Sequence, residues 1–194
     1  MSLETTVYSV LIVSSSDNFF DSVSTLLSPS EYMPILRANN ISSAKRIIAE
    51  RQFDFVVINS PLPDDTGIHF ACDICENSSS AVLLFAKGEV FATVSDKLTP
   101  YGAFALNKPI SRNTAMTAFL WMAATRERLR KREAKAVSLE QRMKEIRIIN
   151  RAKWMLIEKE NMNEAEAHRK IEKQAMDSCL PKIDIANKII DKYS

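Results

Sequence analysis

The amino-acid sequence predicts an α/β fold in which a doubly wound, five-stranded parallel sheet is joined by one long helix to a small C-terminal three-helix bundle. Two patterns lead to this prediction. In residues 1–110, five short apolar stretches alternate with stretches whose apolar residues recur at three- and four-residue spacings. From Ser111 to near Asn161, neither glycine nor proline interrupts the chain. The length of 194 residues suits one full domain and a smaller one.

Strands and helices alternate throughout the first part. The predicted strands are rich in β-branched or aromatic residues, as buried parallel strands are; they are residues 7–13, 32–38, 54–59, 81–86 and 102–106. The predicted helices are residues 19–27, 41–50, 68–76 and 90–98. Because the links are short, these units predict one sheet with helices on both faces. Ligands of such sheets bind at the carboxyl ends of the strands.

Charge is unevenly distributed along the chain. Residues 1–110 hold 7 Lys and Arg against 12 Asp and Glu, a net charge of −5, whereas residues 111–194 hold 19 against 12, a net charge of +7. Between Arg126 and Lys153 there are 11 basic and 4 acidic residues. This excess indicates a polyanionic partner, and nucleic acid is the natural class. No apolar run approaches the ~20 residues that span a bilayer, so we expect a cytoplasmic protein without a membrane partner.

The strand ends resemble those of response-regulator receiver domains, over residues 7 to about 124. The resemblance rests on "VLIV" with the polar run after it, "FDFVVINSPLPDDTG", "AVLLFAKG" and "YGAFALNKPI". Receivers hold Mg²⁺ with an acidic pair after strand 1 and phosphorylate an aspartate that ends strand 3. They read the phosphate with a Ser or Thr after strand 4 and a lysine after strand 5. The corresponding residues here are Ser14 and Ser15, Asn59, Phe85 and Lys108.

These replacements remove the chemistry that the resemblance would otherwise imply. Neutral serine hydroxyls do not offset the cost of dehydrating Mg²⁺. The amide of Asn59 is not a carboxylate nucleophile, and Phe85 has no hydroxyl. We therefore expect a degenerate receiver domain, residues 1–124, without catalytic residues, metal or cofactor. It would bind a regulatory protein or a ligand, or serve dimerisation, and we expect no enzymatic activity.

Smaller motifs in this part have structural explanations. Asp64 and Asp65, within Pro-Asp-Asp-Thr-Gly, predict a turn in which glycine takes the left-handed conformation. Asp17 is predicted to cap a helix that begins near Asn18. Cys72-Asp-Ile-Cys75 has no second Cys or His pair at zinc-ligand spacing, so both cysteines are predicted to be buried small hydrophobes.

The long helix carries an imperfect heptad pattern. Two series recur at seven-residue spacing, namely Ala115, Met122, Leu129, Ala136, Met143 and Asn150, and Ala118, Thr125, Arg132, Leu139 and Ile146. We predict a connecting coiled coil over residues 111–147, with its N-terminal third packed on the sheet. A homodimer is favoured, and packing within one chain is the alternative because polar residues weaken the seam.

Two shorter helices complete the predicted bundle. Asn163 and Glu166 have the spacing of a capping box, and Pro181 suits the first turn of the last helix. The first helix is predicted to bury one face, consisting of Ala165, Ala167, His168, Ile171 and Ala175. The second is predicted to bury Ile183, Ile185, Ala186, Ile189 and Ile190.

Residues 149–190 resemble the ANTAR module, an RNA-binding antitermination domain found downstream of receivers. The family's Ala-Lys-Gly, acidic-Ala-aromatic, Ala-Met and Val-Ala patterns correspond to Ala152-Lys153, Glu166-Ala167-His168, Ala175-Met176 and Ile185-Ala186. Trp154 replaces the family's glycine, and His168 its aromatic residue. We assign the ANTAR-like three-helix domain to residues 138–194.

The resemblance implies binding of paired stem-loops in a leader transcript, which prevents a terminator hairpin from forming. Loop bases and backbone carry the recognition of such RNA, so basic side chains supply affinity. The predicted RNA-binding residues are Arg151, Lys153, Arg169, Lys173 and Lys182. One alternative is a protein-interaction adaptor that does not bind RNA. Another is a DNA-binding response regulator, which ranks lower because no helix-turn-helix spacing occurs between the last helices.

Overall fold

The computed structural model describes residues 6–193, so that residues 1–5 of the predicted receiver domain and Ser194 of the predicted RNA-binding domain lie outside the described residues. The chain divides into two compact units between Lys131 and Arg132. This division falls within the predicted connecting helix. Each unit has its own hydrophobic core.

The first unit contains a five-stranded parallel sheet, as predicted. Its strands are β1 (Tyr8–Val13), β2 (Tyr32–Ala38), β3 (Phe55–Asn59), β4 (Ala81–Lys87) and β5 (Phe104–Lys108). They are arranged in the order β2-β1-β3-β4-β5, and every neighbouring pair is parallel. This order brings the carboxyl ends of β1, β3 and β4 side by side at the centre of one edge.

Helices connect these strands. They are α1 (Asp17–Leu26), α2 (Ile41–Glu50), α3 (Ile68–Asn77) and α4 (Gly88–Leu98), and α5 (Arg112–Glu160) follows β5. Alternate strand residues face opposite sides of the sheet. Leu11 and Val13 pack in a cluster with residues of α2, α3 and α4, whereas Val10 and Ile12 pack in a second cluster with residues of α1 and α5. The doubly wound arrangement is therefore confirmed.

The start of α5 belongs to the core of the first unit. Ala118, Phe119 and Met122 are buried in the same cluster as Val10 and Ile12. The prediction that the N-terminal third of the long helix packs on the sheet is confirmed. Polar contacts add to this packing, because Arg126 and Arg130 both donate hydrogen bonds to the Asp54 carboxylate just before β3.

The loop after β3 forms the predicted turn and also has a second role. Asp65 Oδ1 accepts a hydrogen bond from the Gly67 amide at 2.7 Å, and Gly67 is left-handed with φ of 80°. Asp64 has the second role. Its carboxylate accepts hydrogen bonds from the amides of Ile41 and Ser42, at 3.0 and 3.1 Å, and so caps the N-terminus of α2.

Two local predictions in the first unit are wrong. Ser16, and not Asp17, is the N-cap of α1, because the Ser16 hydroxyl accepts from the Phe19 amide. Asp17 is the first helical residue and forms an ion pair with Arg37 at 2.5 Å. β5 begins two residues later than predicted, because Gly102 is still in a left-handed turn with φ of 78°.

The second unit is built on three helical segments. They are the end of α5, α6 (Glu164–Ser178) and α7 (Lys182–Tyr193). Their common core comprises Ala152, Leu156, Ala167, Ile171, Ala175, Ile185, Ala186 and Ile189. The capping box between Asn163 and Glu166 is present as predicted, with both hydrogen bonds at 2.9 Å.

His168 was predicted to lie in this core, and that prediction is wrong. Its side chain is 51% exposed and lies 3.3 Å from Glu172 one turn later. Ala165, predicted on the same buried face, is also exposed. Ala167, Ile171 and Ala175 are buried, so the face is narrower than predicted. Small alanines and Ile171 suffice for close packing of the three helices.

No helix within residues 6–193 is both long and apolar enough to cross a membrane.

Candidate functional site

The carboxyl ends of β1, β3 and β5 are linked by a chain of hydrogen bonds through Asn59. The Asn59 amide nitrogen donates to the Ser14 hydroxyl at 3.0 Å. Lys108 Nζ donates to the Asn59 amide oxygen at 2.7 Å and to the Ser60 carbonyl at 2.6 Å. Three of the candidate site residues, Ser14, Asn59 and Lys108, are therefore in contact, and both ends of the Asn59 amide are hydrogen-bonded.

The Ser14 hydroxyl has no capacity left for a ligand. Ser14 is fully buried, and its hydroxyl also accepts from the Ser16 amide at 3.1 Å and donates to the Ser16 carbonyl at 3.2 Å. Ser15 is exposed and lies outside this network. These two residues do not fit a Mg²⁺ site, because Mg²⁺ prefers charged oxygen ligands. Among residues 6–193, no cluster of three or more Asp, Glu, His or Cys side chains could hold a metal ion.

Phe85 places an apolar ring at the position where receiver domains have a Ser or Thr. It is 1% exposed and packs edge-on against Phe19, with the ring centroids 5.1 Å apart. In the sheet it pairs with Asn59, so the ring lies directly beside the amide. The site thus combines one cation and one amide, and a buried aromatic ring occupies the fourth position.

Two lysines lie side by side at this edge of the sheet. Burial, and secondarily the repulsion of Lys87, lowers the pKa of the Lys108 ammonium below its ordinary value. Lys87 and Lys108 are direct partners in the β4–β5 ladder. Among the described side chains at this edge we find no group suited to nucleophilic attack.

The cysteines form no metal or redox site. Cys72 and Cys75 were predicted to be buried; they pack against the core of the first unit but are only partly buried, and Cys179 is exposed. Burial raises the pKa of the Cys75 thiol to about 11, so its reactive thiolate form is suppressed at neutral pH.

In the second unit the predicted RNA-binding residues divide into two groups. Arg151, Arg169 and Lys173 are exposed, and none of them forms an ion pair with another residue between 6 and 193. Arg169 and Lys173 lie one turn apart on the same face of α6. These three side chains are available to an outside partner.

Lys153 and Lys182 already have partners within the bundle. Lys153 Nζ lies 3.0 Å from Glu164, and its side chain is only 16% exposed. Lys182 Nζ lies 2.5 Å from Glu172, with nearly half of its side chain exposed. To contact a phosphate, each lysine would have to break its ion pair or bind the phosphate and the carboxylate at the same time.

Trp154 is a candidate contact that the sequence prediction missed. Its side chain is 71% exposed on α5, so it does not disturb the packing of the bundle. Arg147 and Arg151, both exposed, lie two turns and one turn before it on the same face. The signal in the sequence was the placement of two arginines and a tryptophan at helical spacing.

The heptad seam of α5 is exposed along the part that belongs to the second unit. Leu139, Met143 and Ile146 are 54%, 50% and 57% exposed in the single chain. Three large apolar side chains at alternating four- and three-residue spacing form a stripe of the kind that coiled coils bury.

Comparison with known families identifies the second unit. Residues 138–190 match the ANTAR domain, so this chain contains one. No curated protein matches the sequence significantly.

Comparison with solved structures identifies the fold of the first unit. The chain is similar to the signal receiver domain of an HD domain-containing protein from Pseudomonas fluorescens Pf-5, with 22% identity and a TM-score of 0.59 over 68% of this chain and 98% of that one. The chemotaxis response regulator CheY4 of Vibrio cholerae gives 21% identity and a TM-score of 0.52 over 60% and 99%. The beryllofluoride-activated NtrC4 receiver domain dimer gives 27% and 0.53 over 62% and 98%. The first unit therefore has the receiver fold.

Proposed function

We propose that this protein is a transcription antitermination regulator that binds stem-loop RNA in leader transcripts. The observation that carries the proposal is the match of residues 138–190 to the ANTAR domain, in a chain whose first unit has the receiver fold. The protein is not an enzyme in this proposal. Its receiver-like unit has lost aspartyl phosphorylation and serves as a partner-binding or dimerisation module.

The loss of phosphorylation follows from the groups at the strand ends. An aspartyl phosphate needs a carboxylate nucleophile and a bound cation to offset its charge. Asn59 supplies an amide whose two ends are bound by Ser14 and Lys108, and Ser14 has no free lone pair to offer a metal. RNA binding is then either constitutive or controlled by a partner or ligand rather than by phosphate.

The RNA-binding surface is proposed to centre on the unpaired cations. Arg151, Arg169 and Lys173 can each approach a phosphate without breaking an ion pair, and release of counterions from RNA then contributes to affinity. Lys153 and Lys182 are expected to contribute less to RNA binding, because each already forms an ion pair with a carboxylate. Trp154 offers an exposed ring on which an unstacked loop base can stack.

Homodimerisation through α5 is part of the proposal. Leu139, Met143 and Ile146 expose apolar surface that a second copy would cover. Two RNA-binding units in a dimer match two stem-loops in one transcript. Together the two copies would gain affinity through the proximity of the second binding event.

A pair of matched double variants tests the RNA-binding surface. Arg169→Gln with Lys173→Gln removes two exposed cations from α6, and Lys45→Gln with Arg46→Gln removes two exposed cations from α2. Both change net charge equally. If Arg169 and Lys173 contact phosphates, only the α6 double variant should bind a stem-loop RNA more weakly than wild type. The slope of log affinity against log salt concentration should then be shallower by about 1.4 for that variant. Equal effects of the two pairs would contradict the assignment.

A further inference from the structure

A large groove opens in the first unit between α1 and the segment that joins β5 to α5. Its volume is about 920 Å³, within the range of small-molecule sites. The apolar walls include Phe19, Val23 and Leu26 from the α1 side, and Phe85, Ile110 and Ala115 from the other. Apolar walls of this kind suit the body of a ligand rather than bulk water.

Three cations line this groove, and two of them, Lys87 and Lys108, are neighbours in the sheet. They are Lys87 at the end of β4, Lys108 at the end of β5, and Arg112 at the start of α5. In the described part of the chain, none of the three is paired with a carboxylate, and the hydrogen bonds of Lys108 go to an amide oxygen and a carbonyl. Asp21 is the one acidic residue among the lining residues described. The groove therefore carries an excess of positive charge.

This excess is connected with the altered strand ends. Receiver domains have carboxylates at the three positions that Ser14, Ser15 and Asn59 occupy here. The lysine of the receiver site is retained as Lys108. Among the described residues, the Lys108 ammonium has an amide oxygen and a carbonyl as partners and no carboxylate, and burial, then repulsion by Lys87, lowers its pKa. An anion in the groove would supply a counter-charge.

The apolar component makes a bare anion a poor match. Phe85 replaces the hydroxyl residue expected after strand 4 with a buried ring that packs against Phe19, and the half-buried ring of Phe19 contributes apolar surface to the groove. Inorganic phosphate would leave this surface in contact with water. A ligand with both an anionic head and an apolar body would cover it and meet the cations together.

We propose that this groove binds a small amphipathic carboxylic acid, with its carboxylate at Lys87, Lys108 and Arg112 and its apolar body against Phe19, Leu26 and Ile110. The proposal names a ligand class for the receiver-like unit and rests on the proposed loss of its phosphoryl chemistry. It does not depend on RNA binding.

Isothermal titration of the full-length protein with three probes tests the proposal. Decanoate carries both features, decanol lacks the charge, and inorganic phosphate lacks the apolar body. Decanoate is expected to bind at least tenfold more tightly than either of the others. Equal binding of decanol would indicate a merely apolar groove, equal binding of phosphate would indicate an anion site, and no binding of decanoate would remove the site. Each of these results would overturn the proposal.

Variants place the binding in the groove. Arg112→Gln removes one cation and is expected to weaken decanoate binding about tenfold. Ser22→Phe fills the groove from an exposed position on α1 and is expected to abolish binding. Lys45→Gln removes an exposed cation from α2, outside the groove, and should leave the affinity unchanged. Unaltered binding to both Arg112→Gln and Ser22→Phe would overturn the proposal.

Two further experiments distinguish a failure of the ligand proposal from a failure of the proposed function. Mass spectrometry after incubation with acetyl phosphate reports on phosphorylation alone, and RNA titration reports on the second unit. Failure of decanoate to bind, with no phosphate adduct and intact RNA binding, would defeat the ligand proposal and leave the proposed function standing.

Discussion

Asp54 Oδ1 accepts a hydrogen bond from Arg126 Nε at 2.8 Å, and each of the two side chains is only 14% exposed. Arg130 lies 3.1 Å from the same oxygen, and the second carboxylate oxygen accepts from the Ser9 amide at 2.9 Å. Asp54 therefore joins β1 and the start of β3 to α5. Together with the buried face around Met122, this contact fixes the first part of the long helix on the sheet.

Replacing Asp54 by Asn should destabilise the first unit by roughly 2 kcal/mol, because a neutral amide weakens the charge-assisted hydrogen bonds that the carboxylate accepts from Arg126 and Arg130. The measurement is urea unfolding in a Trp154→Phe background, where Trp121 is the remaining tryptophan. Asp73→Asn, an exposed carboxylate on α3, is the matched control and should change the free energy of unfolding by less than about 0.5 kcal/mol. Equal stability of the two variants would show that the contact contributes nothing.

The contribution of Asp54 to the free energy of unfolding should decrease at acidic pH. Burial raises the pKa of this carboxyl, but hydrogen bonds from Ser9 and Arg126 outweigh it and leave the pKa below its ordinary value of 3.8. Since the folded pKa is depressed, the stabilisation is present above the ordinary value and is lost as pH falls through the folded pKa. The difference in unfolding free energy between wild type and Asp54→Asn should therefore be constant near neutral pH and shrink below about pH 4. A constant difference down to pH 2 would contradict this.

Most of the fold could be predicted from the sequence because it is encoded locally. β2 and α2 have the predicted bounds, since periodic apolar residues and the Asn40 cap mark them within a few positions. The contact of Asp54 with Arg126 could not be predicted, because the two residues are 72 positions apart and no local pattern links them. Only the order of the strands and the packing of α5 bring them together.

The candidate sites were predictable to different degrees. The meeting of Ser14, Asn59 and Lys108 follows from parallel topology, which places strand ends together. The prediction for His168 is wrong because helical spacing does not define how wide a buried face is, and the alanines of α6 need only a narrow one. The pairing of Lys153 with Glu164 depends on how α5 and α6 meet, which spacing along one helix does not specify.

The strand-end site should not accept phosphate. Incubation with acetyl phosphate or beryllofluoride should leave the mass and the thermal stability of the wild-type protein unchanged. Asn59→Asp should behave in the same way, because the restored carboxylate still lacks a metal site and a hydroxyl at Phe85. Intact-mass spectrometry checks both proteins. A phosphate adduct on residues 54–67 of the wild type would refute the proposed loss of chemistry.

Lys153→Ala should weaken RNA binding without unfolding the bundle. The ion pair with Glu164 is partly solvent-exposed and contributes at most about 1 kcal/mol to stability. Glu164→Gln separates the two roles, because it breaks the same ion pair but leaves the lysine free. If Lys153 contacts RNA, Glu164→Gln should bind at least as tightly as wild type in a filter-binding or anisotropy assay. Equal weakening by both variants would assign Lys153 a structural role instead.

The exposed seam should control the oligomeric state. Met143→Glu places a charge in the proposed dimer interface and should shift sedimentation toward the monomer, since burial of unpaired charge is costly. Val137→Glu is the matched control, because Val137 is 67% exposed but lies outside the heptad seam. Both variants should keep their helical circular dichroism. A wild-type protein that sediments as a monomer at micromolar concentration would contradict the proposed dimer.

The central claim is that the second unit binds stem-loop RNA without any phosphorylation of the first. It is tested most directly by titrating the purified protein onto a tandem stem-loop RNA at several salt concentrations, without phosphodonor, beside a scrambled RNA and a DNA duplex. The account predicts hairpin-selective binding that loses roughly 0.7 log units of affinity per log unit of salt for each phosphate contact. Weak binding that does not distinguish the hairpins from the scrambled RNA or the duplex would contradict it and favour a protein-interaction adaptor.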